Sequence, residues 1–244
     1  MSTTTKDFIS SHGYPAEHHH IVTEDGYVLG VFRIPYSHKL KNQEKIRPIV
    51  LIEHGLMGGS DIWFFTGPNH ALPYLLVDSG FDVWVGNSRG NTYSRNHISM
   101  STEDPDFWKF SWHEIGYYDI AATIDYSLQV NGQGHQAVHY VGHSQGTTVF
   151  FALMSMRPEY NAKIKTAQLM APVAWMSNME YKLNDIMAAV KDVNFLAERL
   201  PNRELHLVDD PLWDHDDFAL NVDLRKVIND PVIEIMKKFE SSKN

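Results

Sequence analysis

The 244 residues include no cysteine. That absence excludes a disulfide framework, a thiol nucleophile and a cysteine-ligated zinc site. No apolar run approaches the roughly 18 residues that a membrane-spanning helix needs, so no transmembrane segment is expected. The opening Met1-Ser2-Thr3-Thr4-Thr5-Lys6-Asp7-Phe8 lacks the apolar centre of a signal peptide, so no export signal is expected either. Asn-x-Ser/Thr sequons are missing, which weighs slightly against a glycosylated route. Positive charge is scarce: 21 Lys and Arg face 30 Asp and Glu, a net charge of −9. Such a chain is repelled by nucleic-acid phosphates and anionic lipid, so neither is expected as a partner.

What is present reads as one large globular domain. Apolar residues make up 43% and aromatics 12% of the chain, enough for a core of α/β size. Residues 1–17 form a polar N-terminal segment, and residues 18–244 the domain. Ile21–Ile34 alternates around Glu24-Asp25-Gly26 and predicts a β-hairpin. His18-His19-His20 precedes it; neighbours on a strand point to opposite faces, so the three do not converge on one ion. Pro48–Glu53 and Phe81–Gly86 are continuous apolar runs, the pattern of strands buried on both faces of a parallel sheet. Asn69–Asp78 and His113–Val130 have helical periodicity. Thr166–Val173 predicts a further strand, Asp185–Arg199 a helix, Glu204–Val208 a short strand, and Phe218–Phe239 a closing helix interrupted near Pro231. Strands alternating with helices predict a mostly parallel doubly wound sheet entered through a hairpin.

The chemistry centres on Gly142-His143-Ser144-Gln145-Gly146, which lies between the β-rich Val138–Val141 and a helix over Thr147–Met156. Gly-x-Ser-x-Gly in that context is a nucleophile elbow, in which a sharp turn lifts the serine hydroxyl above the sheet. Such a serine needs a base, and the base needs an orienting acid, in the chain order Ser, Asp/Glu, His. Only His206 and His215 follow Ser144. His206 falls in a strand pattern and His215 in the loop after it, so His215 is the better base. Asp185 opens a helix after the end of a would-be strand and is the preferred acid; Asp192, Asp209 and Asp210 are its rivals. The oxyanion would be held by backbone N–H groups of Leu56, in the His54–Gly59 loop after a buried strand, and of Gln145. Trp63-Phe64-Phe65 and Phe107–Trp112 lie near as aromatic patches. This chemistry requires neither metal nor organic cofactor.

Several stretches resemble the acid lipases, the lysosomal acid lipase and gastric lipase family with its insect members. These are Gly13-Tyr14-Pro15, Val22–Leu29, His54-Gly55-Leu56, Val83–Asn91, Phe107–Glu114, Gly142–Thr147, Leu200-Pro201-Asn202 and His215–Phe218. The resemblance implies an α/β-hydrolase fold, neutral lipid esters as substrates, Ser144, Asp185 and His215 as triad, and a secreted or lysosomal setting. The chain departs from that family in the export signal expected to be absent, in its lack of cysteine, with Ala16 where Cys is common, and above all in one segment. Between Trp175 and Asp185 stand nine residues, too few for a parallel crossover of about a dozen. The family's helical cap and part of the penultimate strand are expected to be missing there, leaving Trp63, Phe64 and Phe65 more exposed. Two functions follow: a serine ester hydrolase of neutral lipids, or a lipid-binding remnant whose triad no longer closes. A thioesterase or peptidase on the same fold is a third.

Overall fold

The structure, a computed structural model, describes residues 4–175, 190–210, 213–221 and 223–243. Its centre is a seven-stranded sheet: β1 (Glu17–Val22), β2 (Tyr27–Ile34), β3 (Ile49–Glu53), β4 (Asp82–Val85), β5 (Asn96–His97), β6 (Val138–His143) and β7 (Ile164–Met170). The order is β1-β2-β4-β3-β6-β7, with β5 paired to β2. β1, β2 and β4 are antiparallel neighbours, whereas β4, β3, β6 and β7 run parallel. The predicted hairpin and doubly wound sheet are both present.

Eight α-helices accompany this sheet among the described residues: α1 (Thr5–Ser11), α2 (Leu72–Val77), α3 (Trp112–Glu114), α4 (Ala121–Asn131), α5 (Gln145–Met156), α6 (Val190–Arg199), α7 (Asp217–Leu220) and α8 (Asp230–Ser241). α3 runs into α4 through a π-helical stretch, Ile115–Ile120. Its start is fixed by a capping box, with Ser111 Oγ accepting from the His113 N–H and Glu114 reaching back to the Ser111 N–H.

Both faces of β3, β4 and β6 are buried, which explains their unbroken apolar runs. Val50, Ile52, Val83, Val85 and Val141 face one core with α2 and α8. Ile49, Leu51, Trp84, Val138 and Tyr140 face the other with α4 and α5. Each such side chain contributes roughly 1.5–3 kcal/mol on burial.

Three expectations are corrected by the structure. Glu204–Val208 forms no strand, and Leu205 and Leu207 stand 47% and 72% exposed. An alternating pattern specifies a strand only where a sheet edge waits to pair with it. The closing helix is not continuous from Phe218: it breaks at Asn221, is π-helical over Arg225–Asn229 and becomes α-helical at Asp230, with Pro231 in the first turn of α8. Trp63 and Phe64 are core residues, folded under by a 3₁₀ turn at Ser60–Phe64; only Phe65 of that patch is exposed.

Candidate active site

β6 ends at His143 and α5 begins at Gln145, so the chain reverses within Ser144. Ser144 has φ +53° and ψ −118°, a left-handed conformation that a non-glycine residue occupies at a cost of roughly 1–3 kcal/mol. Its neighbours hold it there. The Ser144 N–H donates to the Met170 carbonyl at 3.1 Å, and the Ser144 carbonyl accepts from the Thr147 N–H and hydroxyl at 2.9 and 2.6 Å. Thr147 Oγ1 also accepts from the Val173 N–H at 2.8 Å, which ties the end of β7 to the elbow. The flanking glycines are steric requirements. A β-carbon on Gly146 would stand 2.7 Å from the Glu53 carbonyl oxygen, and one on Gly142 would stand 2.8 Å from the Gly146 backbone.

The loop after β3 lies against this turn. A β-carbon on Gly55 would sit 3.1 Å from Ser144 Cβ, which places Gly55 against the Ser144 side chain. The loop closes on itself through the Gly58 N–H to the Gly55 carbonyl, 3.1 Å. His54 orients it: Nδ1 donates to the Gly55 carbonyl at 2.8 Å, while Nε2 accepts from the Ser88 N–H at 3.2 Å. Burial lowers the His54 pKa, consistent with a neutral ring in that tautomer. Leu56 and Met57 project outward, and Met57 is 97% exposed.

His215 lies in the loop before α7, a loop shaped by the Asp214 carboxylate accepting from the Asp216 and Asp217 N–H groups. It reaches the elbow through its backbone. His143 Nε2 donates to the His215 carbonyl at 2.8 Å, and the two rings lie 5.0 Å apart. Burial pushes the His143 pKa down to about 4, so this ring is a neutral tether. His215 is itself half-buried, and desolvation lowers its pKa below the ordinary 6.5 despite the nearby Asp216 and Asp214. The Ser144 hydroxyl and the His215 ring do not hydrogen-bond to one another. Asp185 lies outside the described residues. Of its rivals, Asp192 is buried on α6, whereas Asp209 and Asp210 are exposed; the alternative base His206 is exposed beside Glu204 at 3.3 Å. The structure thus brings Ser144, the Leu56 loop, Gln145 and His215 to one end of the sheet.

A cleft of about 540 Å³ lies beside the elbow, bounded by the His54–Gly59 loop, Gln145, Asn91, Arg95, Trp108 and Phe110; Ser144 and His215 do not line it. The Phe107–Trp112 stretch therefore divides: Phe107 is wholly buried in the core, and Trp108 and Phe110 line the cleft. Sequence reasoning missed two residues. His143 occupies a variable position of the elbow and carries the tether to His215. Glu53 reads as the polar end of an apolar run, yet it is fully buried, accepts from Ser88 Oγ at 2.7 Å, and burial pushes its carboxyl up to about 7.

Residues 48–217 match the family described as alpha/beta hydrolase fold, and residues 5–67 match a partial alpha/beta-hydrolase lipase region. Lipase 3 of Drosophila melanogaster is 50% identical over 182 residues, 75% of this chain and 45% of that protein. Gastric triacylglycerol lipase of Mus musculus is 48% identical over 170 residues, 69% of this chain and 42% of that one. The human gastric triacylglycerol lipase is 43% identical over 186 residues, 76% and 46%. The chain spans less than half the length of these relatives. With its sheet order, its strained elbow and this match over most of its length, the chain belongs to the α/β-hydrolase fold family, among relatives named as lipases.

Proposed function

We propose that the chain carries the catalytic core of a serine ester hydrolase of neutral lipids. Ser144 attacks the ester carbonyl, and His215 takes the hydroxyl proton and returns it to the leaving alcohol. Asp185 orients His215. The N–H groups of Leu56 and Gln145 hold the oxyanion, and water then releases the acid from the acyl-enzyme. The observation that carries this reading is the left-handed Ser144, because strain of this size persists at a strand–helix turn only where the surroundings enforce it. The exposed Leu56, Met57 and Trp108 around the cleft suit a substrate presented at a lipid–water interface.

A fluorophosphonate probe tests the reading. Folded protein is expected to form a single adduct, on Ser144; no adduct would sink the proposal. The second reading, a lipid-binding remnant, draws on the missing Ser144–His215 hydrogen bond and on the unformed strand at Glu204–Val208. Neutral-lipid binding with no turnover of a short-chain ester would favour that alternative.

The half-buried His215 sets the acid limb of the reaction. A base with a lowered pKa stays neutral, and so competent, further into acid. The pH profile of kcat/KM for a short-chain nitrophenyl ester should therefore inflect below 6.5. An acid-limb inflection at or above that value would remove His215, in this environment, as the base.

A further inference from the structure

Glu53 closes β3, one residue before the oxyanion loop, and is shielded on every side. Its Oε1 accepts from Ser88 Oγ, and its Oε2 lies so near Gly86 that a β-carbon there would stand 2.1 Å away. Among the described residues no cation answers it. On its own strand end, His54 Nε2 is 3.6 Å away, but that ring is neutral and its lone pair is engaged by the Ser88 N–H. In the loop after β4, Arg89 is consumed by Asp25 and Asp119. On β6, the Tyr140 hydroxyl donates to the Gly146 carbonyl. From α5, the backbone of Gly146 packs against the Glu53 backbone. A carboxyl buried with one neutral hydroxyl for company holds its proton.

We propose that Glu53 is a positioning residue of the oxyanion loop, keeping Gly55 and Leu56 in register with Ser144 only while its carboxyl is protonated. Its backbone is wedged at the elbow: the Glu53 and His54 carbonyl oxygens lie 2.7 and 3.0 Å from where a Gly146 β-carbon would be. An uncompensated charge at this point is relieved by admitting water or by shifting the end of β3. Either moves the Leu56 N–H, and a displacement of about 1 Å costs on the order of 10²-fold in rate. The sign follows from the raised pKa. Below pH 4.5 folded and unfolded chains are both protonated; from 4.5 to about 7 only the unfolded chain gives up its proton, so stability falls as pH rises and the loss is complete above 7. The positioning role rests on the hydrolase reading; the buried proton does not.

The test compares wild type with Glu53→Gln, which cannot ionise, in thermal melts from pH 4.5 to 8.5 and in fluorophosphonate labelling at pH 5 and 8. Wild type is expected to lose about 5 °C or more of Tm relative to Glu53→Gln across that range. Its ratio of labelling rates, pH 8 over pH 5, is expected to be about tenfold lower, as a group with a pKa near 7 is then about one-tenth protonated. Parallel melting curves overturn the buried proton. Diverging melts with equal labelling ratios overturn the positioning role alone. Diverging melts with no labelling of either protein sink the hydrolase reading and the positioning role together, and leave the proton standing. Should Glu53→Gln fail to fold, Glu53→Leu, equally unable to ionise, replaces it with the same outcomes.

Discussion

Ser144→Ala should lower ester turnover by about 10⁴- to 10⁶-fold while leaving the fold in place. The alanine keeps every backbone contact that holds residue 144, including the N–H to Met170 and the carbonyl to Thr147, and removes only the hydroxyl. It also keeps the left-handed strain. Ser144→Gly should differ in a useful way, because glycine enters that region without a steric cost. We expect it to be as inactive as the alanine variant but more stable by roughly 1 kcal/mol, the relieved strain less the extra chain entropy of glycine. Denaturant midpoints measure this. A glycine variant no more stable than the alanine variant would show that residue 144 stores no usable strain. Residual turnover within a factor of ten of wild type would remove Ser144 as the nucleophile.

The second large effect is on stability. Arg89→Met should cost about 3–5 kcal/mol and lower Tm by about 10 °C. Arg89 is buried and donates in two directions: Nε and Nη2 to Asp119 at 2.8 and 2.7 Å, and Nη1 and Nη2 to Asp25 at 2.6 and 2.8 Å. Its guanidinium lies 3.9 Å over the Tyr27 ring, whose hydroxyl donates to the Phe107 carbonyl. Burial pushes the Asp119 carboxyl upward, and the guanidinium beside it pulls the other way. Without Arg89 the hairpin tip, the Ile115–Ile120 helical turn and the loop after β4 lose their common anchor, and two carboxyls lose their counter-charge. Adding Asp119→Asn to Arg89→Met should recover part of the loss. If the double variant is no more stable than the single one, the cost comes from packing and not from the stranded acid.

The sequence was legible where one physical rule dominates. Pro48–Glu53, Phe81–Gly86 and Val138–Val141 are apolar without alternation because two cores cover them, and a run of that kind has few other uses. Ser144 was legible because its turn needs small residues at fixed offsets. Tertiary context decided the rest. Leu205-His206-Leu207 alternates as a strand should, but nothing among the described residues pairs with it. Trp63 and Phe64 read as exposed because the family's cap is expected to be missing above them, yet one 3₁₀ turn folds them into the core. Glu53 was hidden because a charged residue at the end of an apolar run ordinarily marks the surface. The tie from His143 to the His215 carbonyl joins residues 72 apart, and no local pattern encodes such a contact.

β7 ends the sheet order and is only half-covered at six of its seven positions, while β3, β4 and β6 are buried throughout. A backbone ladder that stops at such a strand is a template for any other extended chain, including another copy of itself. Lys165 stands on this strand, drawn to Glu240 of α8 at 2.6 Å, and Thr166 and Gln168 supply polar neighbours. Of these, the lysine is the residue type that discourages edge-to-edge stacking. Self-association is therefore governed near Lys165, at the opposite end of β7 from the Met170 carbonyl that accepts from the Ser144 N–H: removing the lysine charge should promote it without altering the chemistry of the elbow.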